Sequence, residues 1–451
     1  MKKRILFYIG LLAILLMCAC GSSDTASGTL KICIDGNGMN EMHLGPIIAE
    51  FKSKNPELEL IVEYLPPVGL DSAAQEERQA TLTRTRTELM SGDAADVYFF
   101  LNKGNPGDEG LYSLFPNLER QISANVLHDL DFLFTHPDFH AEEYVAPLRQ
   151  MGVYEGKSYV LPLSYTSVSY IALDEPLKNS EFDEEAASKN TKVFMDEMLK
   201  LSKEQIPSFA YPTRLLSLRT LTVSPVDAEK AEIQLNTPQW QELIEMNRYI
   251  MNTVGYSKDP QEDFMNGLDY EARIAEGAVF LPVFSATQPP YYLRLLEDEG
   301  YTARLIPLPN EKGGVTMMTD MTAVVSAGCE NTDAAAQFLL FMLSEQVQGC
   351  GELDQSGGTA RMFASGLSWP VRKGCAENML ETMDLTLVEP GEISDMLKAD
   401  LTAIENRIDF GRLGTSYDSE LGNLILPYLT GEQTWEECYA NIEKEWSYLD
   451  E

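Results

Sequence analysis

Five consecutive apolar residues, Val97-Tyr98-Phe99-Phe100-Leu101, constrain this chain more than any other stretch. A strand with no polar position has no face to offer water. It must be covered on both sides, which is the habit of parallel sheets flanked by helices. The residues before it complete an αβ step. Leu82, Leu89 and Met90 share a helical face, with Arg84, Arg86 and Glu88 mostly elsewhere. Gly92 stands where a helix C-cap needs a residue tolerant of the left-handed conformation. The loop leaving the strand, Asn102-Lys103-Gly104-Asn105, then falls at the sheet's carboxyl edge, where open α/β sheets bind ligands.

The same unit precedes it. Leu30 to Ile34 reads as a strand, and Asp35-Gly36-Asn37-Gly38-Met39-Asn40 as a turn-rich loop. Ile47, Ile48 and Phe51 line a helix that stops before Asn55-Pro56, and Leu58 to Tyr64 is the next strand. Together these make a βαβαβ half of an α/β domain. The Asp35–Asn40 loop superficially suggests calcium, but Pro46 stands where the closing glutamate should be, which excludes an EF-hand. Later, Leu163 to Leu173 alternates apolar and small polar residues as one strand would. Helices are expected over Thr191–Leu201, from Pro238 through Tyr249, from Asn331 and over Thr434–Tyr448, and strands at Gly277–Phe284, Ala303–Pro309 and Met321–Ser326.

The start of the chain is not part of this fold. Lys2, Lys3 and Arg4 precede an apolar run from Ile5 to Met17, too short to span a bilayer comfortably, so residues 1–19 read as an export signal. It ends in Leu16-Met17-Cys18-Ala19-Cys20-Gly21, which resembles a bacterial lipobox. The small Ala19 favours Cys20 as the lipidated residue, and 20–28 is its flexible tether. The sequence carries 34 Lys+Arg against 70 Asp+Glu, a net charge of −36, which opposes nucleic-acid binding. Beyond Cys20 lie Cys33, Cys329, Cys350, Cys375 and Cys438, an odd number without metal-type spacing. They read mostly as small buried residues, Cys350–Cys375 being the pair to consider. His136 and His140 are separated by Pro137, which breaks the helix that would align them, so no metal site is expected. No phosphate loop or hydrolase motif appears.

The order of these pieces resembles the family 1 extracellular solute-binding proteins, the maltose-binding type that serves sugar ABC importers. The resemblance is carried by the lipobox, by Phe51–Tyr64, by Gly92…Asp96-Val97-Tyr98, and by Tyr159-Val160-Leu161-Pro162 at the crossing into a second lobe. It continues through Gly277-Ala278-Val279-Phe280, Ile306-Pro307-Leu308-Pro309, Met321–Phe341 and Leu367-Ser368-Trp369-Pro370-Val371-Arg372. One departure is Tyr170-Ile171-Ala172-Leu173-Asp174, where the family has Tyr-Tyr-Asn-Lys, so the ligand is not inherited.

The resemblance implies a two-lobed, type II periplasmic-binding-protein-like α/β fold, each lobe a mostly parallel sheet flanked by helices, with ligand held in a closing cleft. The expected division is 29–118 with 302–344 for the first lobe and 119–301 with 345–451 for the second. Cleft candidates at strand ends are Asn37, Asn40, Asn102, Ser164, Tyr165, Thr166, Phe284, Ser285, Asp320 and Trp369. They combine aromatic faces with hydrogen-bonding groups, as a sugar requires. The expected protein is a monomeric, lipid-anchored, non-enzymatic subunit on the outer face of the cell membrane. It would need no cofactor, would capture a carbohydrate and would hand it to permease subunits. A secreted glycoside hydrolase and a binding protein repurposed for sensing stay open as alternatives.

Overall fold

The computed structural model describes residues 28–36, 41–69, 71–101, 114–115, 118–202, 204–205, 220–227, 232–254, 274–275, 277–281, 289–350, 368–382, 390–413 and 417–449. The apolar run forms β3 (Val97–Leu101), which lies in a sheet beside β1 (Gly28–Asp35) and β2 (Leu58–Leu65). β1 is parallel to both neighbours. On the other side of β3 runs β11 (Met321–Ser326), antiparallel, followed by β4 (Leu127–His128), while β5 (Leu161–Pro162) also pairs with β11.

β3 serves two cores at once. Val97 and Phe99 belong to one apolar cluster, Tyr98 and Phe100 to another. Phe99 meets Phe338 of α5 (Thr332–Met342) edge-on at 5.7 Å, and Phe338 meets Phe51 of α1 (Glu41–Lys54) at 4.8 Å. On the opposite face Tyr98 and Phe100 meet Phe115 at 5.7 and 4.8 Å. None of Val97 to Phe100 is more than 1% exposed. Burying each aromatic ring is worth about 1.5–3 kcal/mol, so the absence of polar positions in this stretch has a direct energetic cause.

α2 (Ser72–Ser91) begins at Asp71, whose side chain accepts from Ala74 N, and ends at Gly92 in the left-handed region (φ 79°). Leu82 and Leu89 face inward as expected, but Met90 is 76% exposed. It lies eight positions after Leu82 and so about 80° round the helix from it. The inward stripe is instead Arg78, Leu82, Thr85 and Leu89.

Two smaller sheets make up the second part. β7 (Ser169–Leu173) lies between β8 (Phe280–Leu281) and β9 (Ala303–Pro307), antiparallel to both. β6 (Ser164–Ser167) lies between β12 (Trp369–Pro370) and β10 (Val315–Thr319), and β10 is parallel to β13 (Ile408–Arg412). The single strand expected over Leu163–Leu173 is therefore two strands in two sheets. Its alternation does not mark a wet face, because every residue of both strands is buried. The first of these sheets is antiparallel and the second mixed, rather than mostly parallel. The chain leaves the first sheet along β6 and returns along β10, so the two must run in opposite directions.

Strand pairing also moves the division between the parts. Residues 303–319 pair with the second group of sheets, whereas Leu127–His128 and Leu161–Pro162 pair with the first. The expected division assigned both the other way. Helices α3 (Thr191–Met198), α4 (Pro238–Val254), α9 (Tyr417–Leu429) and α10 (Trp435–Leu449) cover the three-stranded sheet through Phe194, Trp240, Ile425 and Ile442. On α4 Trp240 is fully buried, whereas Tyr249 is 59% exposed. Cys350 is disulfide-bonded to Cys375, the first residue of α7 (Cys375–Thr382), and Cys33, Cys329 and Cys438 are buried free thiols. No helix among the described residues is long and apolar enough to cross a membrane.

Candidate functional site

Two residues mark where the chain steps between the sheets. Leu163 N donates to Met321 O (2.8 Å), and Asp320 N donates to Ser164 O (3.0 Å). The outgoing step, β5 to β6, and the returning step, β10 to β11, are therefore hydrogen-bonded neighbours. Five of the ten cleft candidates gather here: Ser164, Tyr165, Thr166, Asp320 and Trp369. Tyr165 stands opposite Thr319 on one side and Trp369 on the other. Thr166 stands opposite Met318, and Pro370 opposite Ser164.

All five are at most 3% exposed. The Ser164 hydroxyl accepts from Met321 N (3.0 Å) and lies 3.1 Å from the Ser368 hydroxyl, which donates to it. Tyr165 and Trp369 sit in one apolar cluster with Leu163, Met317 and Val371. In this conformation neither ring turns a free face outward, and the five form the joint between the sheets. Burial holds the Tyr165 phenol well above its ordinary pKa, with the Glu405 charge adding to the effect. The phenol therefore stays protonated and able to donate throughout the physiological range. Asn37, Asn40, Asn102, Phe284 and Ser285, the other five candidates, lie outside the described residues, as does the lipidation candidate Cys20.

Three supporting features escaped the sequence reading. Gln348, wholly buried, ends α6 (Glu345–Gln348) and bonds to Leu163, Met342, Val371 and Arg372. Glu405, in α8 (Asp395–Arg407), accepts from Gly374 N with both oxygens (3.0 and 3.2 Å). Burial raises its pKa, against the lowering effects of that bond and of Lys373. At the carboxyl end of β1, Asp35 takes two bonds from Arg78 (2.8 and 3.1 Å), both side chains being buried. Arg78 also donates to Pro66 O, so one guanidinium anchors the ends of β1 and β2 just before Asn37. This feature did leave a signal: Arg78 is spaced 4, 7 and 11 positions from Leu82, Thr85 and Leu89 on the buried stripe of α2.

No protein-family model and no curated protein matches the sequence. Solved structures do match, over nearly the whole length. The sugar-binding protein MalE from Xanthomonas citri is 12% identical with a TM-score of 0.66, covering 94% of this chain and 97% of that one. A family 1 extracellular solute-binding protein from Alicyclobacillus acidocaldarius is 12% identical with a TM-score of 0.56, covering 95% and 100%. An ABC substrate-binding protein from Listeria monocytogenes, in complex with cycloalternan, is 14% identical with a TM-score of 0.52, covering 94% and 99%. With its first sheet in the order β2-β1-β3-β11-β4 and two crossing strands into further sheets, the chain has the MalE-like two-domain fold of the family 1 extracellular solute-binding proteins.

Proposed function

We propose that this chain is the extracellular solute-binding subunit of an ABC importer, binding an oligosaccharide between its two lobes without altering it. The observation that carries the reading is the crossing-strand joint, with a tyrosine and a tryptophan on paired strands, in a fold whose solved examples include proteins bound to cycloalternan and mannotriose. Ser164, Tyr165, Thr166, Asp320 and Trp369 form the floor of the binding region. Asn37, Asn40, Asn102, Phe284 and Ser285, which lie outside the described residues, are the further proposed ligand contacts. Ligand that touches both lobes favours the closed arrangement by its differential affinity for it. Cys20 carries the lipid that holds the protein at the outer face of the membrane, and a permease receives the sugar from the monomer.

The test is thermal unfolding of the full chain in detergent against a panel including maltotetraose and mannotriose, with polyols, amines and peptides as controls. A sugar at a hundred times its dissociation constant adds about 2.7 kcal/mol, a clear rise in midpoint. Recovery of that sugar intact supports capture, whereas its cleavage would replace this reading with a hydrolase. A response confined to amines or peptides would remove the carbohydrate assignment. Incorporation of labelled palmitate that disappears in Cys20→Ala would support the anchor. Binding without any co-purifying permease would favour a sensing role.

A further inference from the structure

We infer that Gln348 is the positioning residue that fixes the Trp369–Arg372 segment against the outgoing crossing strand, and through it sets the affinity of the joint for sugar. The second half of the inference rests on the carbohydrate reading above. The first half does not.

Gln348 has no exposed surface, and its amide is fully engaged. Nε2 donates to Met342 O (3.0 Å) and Leu163 O (3.2 Å). Oε1 accepts from Val371 N (2.9 Å) and Arg372 N (3.3 Å). Two donors and two acceptor positions are all that a primary amide offers, and each is used here. The partners come from three places: the residue before Ser164, the end of α5, and the two residues after β12. The same segment is held from other sides. Val145 N donates to Val371 O (3.0 Å), and the Arg372 guanidinium meets Glu143 (2.8 Å) and the Tyr144 hydroxyl (3.2 Å). Among the described residues, Gln348 is the one that ties the segment to the crossing strand by a side chain whose donors and acceptors cannot be exchanged. A carboxylate of the same shape would turn an oxygen toward two carbonyls, and an apolar side chain would leave four backbone groups, three of them in buried bonds, without this partner.

The experiment compares wild type with Gln348→Glu and Gln348→Met in the full chain, without sugar and with maltotetraose and mannotriose. Amide exchange is read at Val371 and Arg372 relative to wild type at each pH, and affinity by calorimetry. Near neutral pH both variants should exchange at least about tenfold faster at these two amides: methionine removes their acceptor, and in Gln348→Glu repulsion between the second carboxylate oxygen and the Leu163 and Met342 carbonyls pushes the side chain away from them. On acidification from about pH 8 to about pH 5 the glutamate variant should recover, because a protonated carboxyl regains one donor, while the methionine variant should not. Sugar affinity should fall about tenfold in Gln348→Glu and return along the same pH course. A lowered thermal midpoint with unchanged affinity would overturn the positioning role and leave Gln348 a packing residue. If neither sugar binds wild type, the carbohydrate reading fails by itself. Acid recovery of local exchange in the glutamate variant alone would then sustain the clasp, and its absence would overturn it.

Discussion

The two parts of the molecule bury arginine in opposite ways. Beneath the first sheet, on α2, Arg78 is sealed completely and meets the Asp35 carboxylate in a two-point contact. In the second part Arg304 keeps 9% of its surface and serves Asp400, Glu184 and Asp174 at 2.7, 2.8 and 3.4 Å. Burial alone would lower the Arg304 pKa, but the hydrogen bonds and charges of Asp400 and Glu184 more than reverse it. The difference follows from the sheets around them. The three strands β1, β2 and β3, of five to eight residues, pack apolar side chains into two cores, and the first part coheres largely by burial beside the sealed Arg78–Asp35 pair. The second part is built of shorter strands joined by irregular segments. There, polar side chains and a disulfide take over the work of holding segments in register.

The largest effect should come from breaking the sealed pair. Arg78→Ala leaves Asp35 buried without its cation, which typically costs about 3–5 kcal/mol. Chemical denaturation should show a matching fall. Replacing both partners, Arg78→Met with Asp35→Leu, should return stability close to wild type, since apolar replacement of a buried pair is often neutral or better. A double variant as weak as the single one would mean that Arg78 matters through Pro66 O rather than through Asp35.

Next comes the covalent tie of the second part. The Cys350–Cys375 bond closes a stretch of 25 residues that includes Ser368, Trp369 and Pro370. Loop closure of that length is worth about 3 kcal/mol in the chain-entropy view. Cys350→Ser with Cys375→Ser should lose that much. If the two parts are held as differently as described, exchange should rise at β6 and β12 and stay low at β1 and β3. Equal loosening of both parts would break the comparison.

How far the sequence reveals all this depends on the kind of force. β3 is legible because each of its residues needs cover, and Gly92 because a left-handed cap excludes most other residues. The step points at Leu163 and Asp320 are not legible. Buried strands on either side of them carry the same apolar-and-small pattern, so one continuous strand and two strands in different sheets look alike. The returning strands β9 and β10 hide for the same reason, and with them the sheets to which they belong. Ser164, Tyr165, Thr166 and Trp369 come together because they lie on two neighbouring strands, and Asp320 because its N–H bonds to Ser164 O. Gln348 leaves no trace at all: a glutamine in Ser344-Glu345-Gln346-Val347-Gln348 reads as surface helix, and only the distant partners show otherwise.

A smaller effect is expected at Arg304. Arg304→Ala would set three carboxylates around an empty place, although Lys178 still pairs with Asp174 (2.7 Å) and Leu305 N with Asp400 (3.0 Å). Remaining partners and partial exposure limit the loss to about 2 kcal/mol, the scale of a hydrogen bond to a charged group. Arg304→Lys should recover part of it, because an ammonium cannot reproduce the two-point contact with Asp400. Full recovery would show that charge alone matters here, making the second part more like an ordinary surface network than a fitted one.

The smallest effect should be at Glu405, and its sign is opposite to that of the two arginines. Burial raises the folded-state pKa of this carboxyl, even though Gly374 N and the Lys373 charge favour the ionised form. A carboxyl that holds its proton more tightly when folded stabilises the protein below its unfolded titration range. That contribution is lost as pH rises through the raised folded value. At neutral pH the charge is therefore a net cost, borne beside a buried Tyr165 whose own pKa it helps to raise. Glu405→Gln keeps an oxygen to accept from Gly374 N and removes the charge, so it should stabilise by about 0.5–1 kcal/mol near pH 7. The gain should vanish below the ordinary carboxylate range, where wild type is neutral too. Thermal midpoints of the two proteins across that range decide the matter. Convergence at low pH would identify burial of the charge as the controlling cause. A variant weaker than wild type at every pH would show instead that the charged bond to Gly374, like those around Arg304, is one of the polar ties on which the second part depends.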